Sequence, residues 1–168
     1  MSTSLGDKDV LRGTPVVGGV VCAPVLRVSS EVDPVAIERY RERPIGDPDA
    51  ALAEFDQAIA AVADTFLAKS EKAHGSAAEV LAASSSLARD KGLRSQVRKN
   101  LNGGASLLDS VDAAIEHFVA LFAGMGGLMA ERGTDLGDTG LRTRARLVGG
   151  PESGSPTPSQ PSVLVAED

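Results

Sequence analysis

The chain has 168 residues, a formal net charge of −6 and 42% hydrophobic residues, but only 3% aromatics and no Trp. That length suits one domain or one and a half, with an aliphatic, Ala-rich core of the kind close-packed helices make. No basic face dominates, which argues against a nucleic-acid binder. No run of about 18 apolar residues exists to span a membrane. The single cysteine, Cys22, rules out an intramolecular disulfide or a Cys-based metal cluster. The N-terminus has no charged-then-apolar signal pattern, so a soluble, cytoplasmic protein is expected.

Residues 1–13 are polar and read as a flexible lead. Residues 14–28, TPVVGGVVCAPVLRV, are β-branched and interrupted by Gly and Pro. They suit one or two short strands with a bend. Residues 29–46 carry scattered prolines and charges and read as a connection. At residue 47 the periodicity changes. Asp47 is placed to cap a helix with Pro48 at its first position. Leu52, Phe55, Ile59, Val62 and Phe66 then recur at spacings of 3, 4, 3 and 4, one apolar stripe on a long helix that Gly75 ends.

Ser76 and Glu79 match a capping box and open a second helix, SAAEVLAASSSLA. Asp90 caps a short continuation with Leu93, Val97 and Leu101, closing at Asn102-Gly103. Ser106 opens the next helix, whose stripe runs Leu108, Val111, Ile115, Phe118, Phe122. Gly124–Gly127 form a break, and a last helix covers roughly 128–148. Residues 149–161 are a Gly/Pro/Ser linker. The end, SVLVAED, carries three consecutive apolar residues, a buried-strand pattern. A lone strand is unstable, so it must pair with the N-terminal strands or with further chain. The predicted fold is mainly α. A helical bundle, 47–148, stands between strand segments at 1–46 and 162–168.

Residues for catalysis are sparse. His74 falls at a helix end and His117 in mid-helix, neither with a second His or Cys at metal spacing, so both read as ordinary surface residues. VGGV at 17–20 lacks the GK[ST] ending of a phosphate loop. Ser84, Ser85 and Ser86 have no base nearby in sequence and suit close helix approach. The charges of RDKGLR, 89–94, read as a solvated corner. Arg142, Arg144 and Arg146 read as complements to a helix C-terminus. On these grounds the chain binds something rather than turning it over.

Three stretches resemble one family. GTPVVGGVVCAPV (13–25) resembles the opening of Enzyme I of the bacterial phosphotransferase system, the phosphoenolpyruvate–protein phosphotransferases. SVLVAED (162–168) resembles the strand that re-enters that family's phosphohistidine domain. AERGTDLGDTGLRTRARLVGG (130–150) resembles the fourth helix of its bundle, in the pattern E-R-x-x-D-[LV]-x-D-x-G-x-R carried by Glu131, Arg132, Asp135, Leu136, Asp138, Gly140 and Arg142.

The resemblance implies a four-helix bundle that docks HPr, the small phosphocarrier protein, inserted into an incomplete α/β phosphohistidine domain. It also implies that phosphoenolpyruvate phosphorylates a histidine in a G-G-x-T-S-H motif, which lies in the family beyond the VLVAED strand and is not in this chain. The phosphoenolpyruvate- and Mg²⁺-binding barrel is likewise a separate C-terminal domain, so this chain is expected to hold no cofactor and to be inactive alone. Since dimerisation belongs to that domain, a monomer is expected. By the same resemblance the HPr-facing residues are Leu87, Asp90, Leu93, Phe122, Arg132 and Asp135. Leu87 and Leu93 suit a core equally well, since leucines at 3-4 spacing are usually core. Asp138 and Arg142, four apart, read as a structural pair. Gly133, Gly137 and Gly140 weaken the helix and suggest close approach of another backbone.

Where family members often carry acidic residues after the second helix, this chain has RDKGL. Either its carrier differs in charge or apolar contact dominates. A paralogous phosphotransfer protein (a nitrogen-type Enzyme I or a dihydroxyacetone-kinase subunit) and a non-enzymatic helical interaction protein are the alternatives.

Overall fold

The computed structural model describes residues 18–28, 32–44, 46–150 and 159–166. They fall into two compact units, one of residues 1–28 with 155–168 and one of residues 29–154.

In the first unit, β1 (Val25–Val28) pairs with β2 (Val163–Ala166) in parallel, Val25 opposite Val163. The Val163 N–H donates to the Pro24 carbonyl at 2.9 Å and opens the ladder. The terminal VLVA run therefore forms a strand and finds the N-terminal one. Its direction is what a long crossover connection allows and a hairpin does not. Cys22 is exposed. The expected strand signal of 14–17 and the polar lead lie outside the described residues.

The second unit is helical. Its elements are α1 (Pro34–Arg41), α2 (Pro48–Lys72), α3 (Ser76–Ala88), α4 (Lys91–Asn102), α5 (Leu107–Met125) and α6 (Gly127–Leu147). Asp47, Asp90 and Ser106 cap α2, α4 and α5, each side-chain oxygen accepting a backbone N–H in the first turn, as their sequence positions predict. α3 and α4 form one leg of the bundle, broken at Arg89-Asp90. With α2, α5 and α6 they give the four legs the periodicity implied.

Three local expectations fail. Residues 29–46 are not a mere connection, because α1 forms inside them. Asp33 caps it, accepting from Val35 N–H at 2.9 Å, and Pro34 occupies the first turn, where no N–H is needed. Pro34, which suggests a break here, starts a helix, and Ile37 and Tyr40 seat it against the core. The capping box at Ser76 and Glu79 does not form. Gly75 takes the N-cap position at φ +60°, with no side-chain cap. Ser76 already has helical backbone, so its hydroxyl is not placed to cap. α2 also stops at Lys72, ahead of Gly75.

The core is aliphatic and Ala-rich. The α2 stripe (Leu52, Phe55, Ile59, Val62, Phe66) is wholly buried, as are Ala63, Ala88, Ala114 and Ala145. Each large aliphatic or aromatic side chain so buried contributes about 1.5–3 kcal/mol. Small residues bring α3 onto α2, where the Ser85 hydroxyl donates to the Ala63 carbonyl at 2.9 Å. Ser84 and Ser86 donate to carbonyls four residues back, at 3.0 Å each. The serine run is thus packing, with its hydroxyls engaged.

Ion pairs tie the legs together. Asp49, Asp56 and Asp64 of α2 meet Arg98, Arg94 and Arg89, with Arg94 bidentate on Asp56 at 2.8 and 2.9 Å. The corner charges of residues 89–94 are therefore paired rather than simply solvated. Arg144 is likewise more than a helix-end charge. It bonds Asp112 of α5 at 2.7 Å, and Arg41 of α1 reaches the same carboxylate at 3.3 Å. No helix among the described residues is long and apolar enough to cross a membrane.

Candidate docking face

The expected site residues come from α3, the α3–α4 corner, α5 and α6. α3 packs on α2 and α6 but not on α5, while α6 packs on both. α6 is what links the α3 side of the face to the α5 side.

Asp90 builds the corner. Its Oδ1 accepts from Gly92 N–H at 2.7 Å and from Leu93 N–H at 3.3 Å. Its carboxylate is committed to holding α4, and the residue acts on the face through that geometry. Leu93 is not a surface contact. It is 2% exposed and belongs to the core, because α4 turns its Leu93, Val97 and Leu101 stripe inward. Leu87 is half-buried and packs against the core from α3, keeping an accessible edge.

Phe118 is the residue that sequence reasoning placed only in the core stripe. In α5, Leu108, Val111 and Ile115 are buried, but Phe118 and Phe122 are half-buried, because the stripe runs on past the part of the helix that its neighbours fully cover. A Cβ on Gly92 would lie 3.5 Å from Phe118 Cζ and 2.8 Å from Asp90 Oδ1. Glycine therefore lets the capped turn and the ring share this space. The Phe118 and Phe122 rings are 6.3 Å apart, and His117 meets Phe118 edge-on at 5.2 Å. A Cβ on Gly133 would touch Phe122 Cβ and the Val119 carbonyl, each at 3.5 Å, so here α6 does approach the α5 backbone. Gly92 thus sits between Asp90 and the Phe118 ring, Phe118 lies beside Phe122, and Phe122 lies against Gly133, the residue after Arg132. The sequence signal was the length of the α5 stripe, taken with a glycine in the first turn of α4.

Arg132 is exposed and makes no ion pair with any described residue. Asp135 is half-buried, and the two do not pair, although they stand three apart on one helix. Asp138 and Arg142 do pair, at 2.7 Å, and the Arg142 guanidinium lies 5.2 Å over the Phe66 ring. Beyond the aromatic pair, the α5–α6 turn exposes Met125 (59%) and Leu128 (78%).

The expected backbone approach explains only Gly133 among Gly133, Gly137 and Gly140. Gly140 is packed by a side chain, Ile115, and a Cβ on Gly137 would meet nothing within 4 Å. His74 and His117 are exposed, and among the described residues no group of three or more His, Cys, Asp or Glu is placed to hold a metal ion. A cavity of about 190 Å³ lies apart from this candidate face, between α1, the start of α2 and the start of α5. Its main polar groups satisfy one another, the Tyr40 hydroxyl and Arg43 both bonding Glu54 Oε1 at 2.9 and 3.1 Å. The face of α3 to α6 carries half-buried aromatic rings and an exposed guanidinium with no ion-pair partner among the described residues.

Residues 12–132 match the family described as PEP-utilising enzyme, N-terminal. The chain belongs to that family. It is also 33% identical over 159 residues to a phosphoenolpyruvate-protein phosphotransferase of Streptomyces coelicolor, an alignment that covers 94% of this chain and 28% of that protein. The chain thus spans under a third of the relative's length and corresponds to an N-terminal region of an Enzyme I. The resemblance read from the three sequence stretches is the family that the comparisons find.

Proposed function

We propose that the helical unit of this N-terminal Enzyme I region docks HPr in the cytoplasm, as one monomer of bundle per carrier. The two paired strands belong to the α/β domain that carries the phosphohistidine. Phosphoryl transfer from phosphoenolpyruvate through that histidine to HPr is then the work of the longer protein. The chain itself supplies the docking surface. Leu87, Phe122, Arg132 and Asp135 meet the carrier, while Asp90 and Leu93 hold the turn from which that surface is built.

The observation that carries this reading is Arg132. Its guanidinium is exposed, has no carboxylate partner among the described residues, and Arg132 immediately precedes Gly133, which packs on Phe122. An exposed planar fork suits bidentate contact with a carboxylate or a phosphoryl group.

The test is a titration of the isotope-labelled chain with HPr from the same genome, read by amide shifts, alongside Arg132→Ala. Saturable shifts at Leu87, Phe122 and Arg132 that weaken in the variant support docking. An absence of shifts at millimolar HPr refutes it. Incubation with phosphoenolpyruvate should leave the mass of the chain unchanged, and a phosphoryl adduct on His74 or His117 would overturn the division of labour.

A further inference from the structure

We propose that the cavity at the α1 end of the bundle binds a small free amine, a primary ammonium ion on a short apolar chain. The site is separate from the face of α3 to α6 and stands whether or not that face docks HPr.

The cavity holds about 190 Å³ between α1, the start of α2 and the α4–α5 turn. Its apolar wall comes from Ala51, Leu101, Ala105 and Leu107. Leu101 and Leu107 are core residues, 4% and 8% exposed, so this wall is fixed before anything binds. Drug-sized ligands fill pockets of about 300–1,000 Å³. A space this small suits a body of a few carbon atoms.

The charged groups of the lining are two carboxylates and one guanidinium. Glu54 takes two bonds on a single oxygen, Oε1, from the Tyr40 hydroxyl at 2.9 Å and from Arg43 Nη1 at 3.1 Å. Its Oε2 accepts from no described residue. Asp47 is divided in the same way. Its Oδ1 accepts from the Asp49 N–H at 3.3 Å, and its Oδ2 accepts from no described residue. Both carboxylates line the cavity, and each has one oxygen left to accept a hydrogen bond.

The sign of the ligand follows from these groups. Asp47 and Glu54 stand against Arg43 alone, which leaves the lining with a net charge of −1. Helix starts ordinarily favour anions, and two lie here. Acidic residues already occupy both, Asp47 and Asp49 on α2 and Asp109 on α5. Arg43 is held by Glu54 and lies 4.5 Å over the Tyr40 ring. An anion entering the cavity would meet two carboxylates. A primary ammonium brings three N–H donors and no acceptor, which suits two oxygens waiting to accept. Its chain then lies against the leucines.

Tyr40 lines the cavity and is the chain's one tyrosine, and there is no Trp, so intrinsic tyrosine fluorescence reads the site directly. The probe is n-butylammonium near neutral pH at constant ionic strength, with butyrate as the charge-reversed control and 1-butanol as the neutral one. A saturable change is expected with a Kd of about millimolar order, as suits so few atoms. Both controls should bind at least about fivefold more weakly, the scale of an exposed charge pair. Glu54→Gln keeps a carbonyl for the Tyr40 hydroxyl, and Asp47→Asn keeps the α2 cap. Each should weaken butylammonium by about threefold or more with the melting temperature checking the fold, and together they should remove its advantage over butanol. Amide shifts from butylammonium should fall at Tyr40, Leu101 and Leu107 and spare Leu87 and Phe122. The proposal is overturned by an unresponsive wild type, by butyrate binding as well as butylammonium, or by shifts confined to Leu87 and Phe122. A folded double variant that binds like the wild type also overturns it. Nα-acetyl-lysine amide carries the same cation on a peptide unit. Tighter binding of that compound than of butylammonium would give the cavity to a partner protein's side chain and overturn the assignment to a free amine.

Discussion

Gly140 of α6 and Ile115 of α5 are in contact so close that no larger residue fits between them. A Cβ on Gly140 would lie 2.9 Å from Ile115 Cγ2 and 3.0 Å from its Cγ1. Both atoms sit on the branched carbon of a buried side chain, so they cannot swing aside as the end of a flexible chain would. Gly137, one turn earlier on the same helix, faces open space. The two glycines look alike in sequence and should respond oppositely. Gly140→Ala should destabilise the bundle by about 1–3 kcal/mol through overpacking. Gly137→Ala should stabilise it by up to about 1 kcal/mol by helix propensity. Urea denaturation of the two variants checks the pair, and equal signs would disprove the contact argument.

Asp112 is the ion-pair partner that matters most to stability. Its side chain is 16% exposed and receives both Arg144 and Arg41, joining α1, α5 and α6. Asp112→Ala should cost about 1–3 kcal/mol, because it leaves Arg144 without its carboxylate in a partly buried place. Asp49→Ala removes an exposed rung with Arg98 and should cost under about 1 kcal/mol. Denaturation midpoints of the two variants measure the difference.

Asp90→Ala should destabilise by about 1 kcal/mol through loss of the α4 cap. It should also move the amide signals of Gly92 and Phe118, since both share the space that the carboxylate organises. Shifts confined to α4 would show that the cap and the aromatic pair are independent.

Tyr40 sets an alkaline limit. Burial first, then the hydrogen bond to Glu54 and the nearby Glu54 charge, holds its phenol well above the ordinary range. A folded-state pKa above the unfolded one means the proton is held more tightly in the native state. The resulting stability is complete below the ordinary phenol value of about 10 and is lost as pH rises beyond it. The melting temperature should therefore fall steeply above about pH 10, and Tyr40→Phe should flatten that limb at a cost of about 1 kcal/mol near neutrality. Tyr40 is the chain's one tyrosine, so an ultraviolet titration reads its ionisation directly. A phenol titrating at the ordinary value would contradict the prediction.

What the sequence determined by itself is what lies within a few residues along the chain. Asp47, Asp90 and Ser106 cap the helices they were expected to cap, because an N-cap bond joins neighbours in sequence. The α2 stripe is buried from end to end, because a period of three and four places those residues on one face. The motif from Glu131 to Arg142 pointed to the family, and the Asp138–Arg142 pair followed from their spacing.

The tertiary structure decided whatever depends on a neighbour far along the chain. Leu93 and Leu87 have the same chemistry in the same pattern, yet one is core and the other keeps an edge. Which it is depends on whether another helix lies alongside. Phe118 becomes a candidate contact because α5 runs past its fullest packing, and Gly92, remote in sequence, leaves room for its ring. Gly137 and Gly140 differ because one helix face meets Ile115 and the other meets nothing. The arginines of the α3–α4 corner turn from a charged surface into paired rungs only when α2 arrives beside them. Caps and periodicity are local and can be read from a string. Burial, close approach and charge neutralisation arise between segments that the chain brings together only by folding.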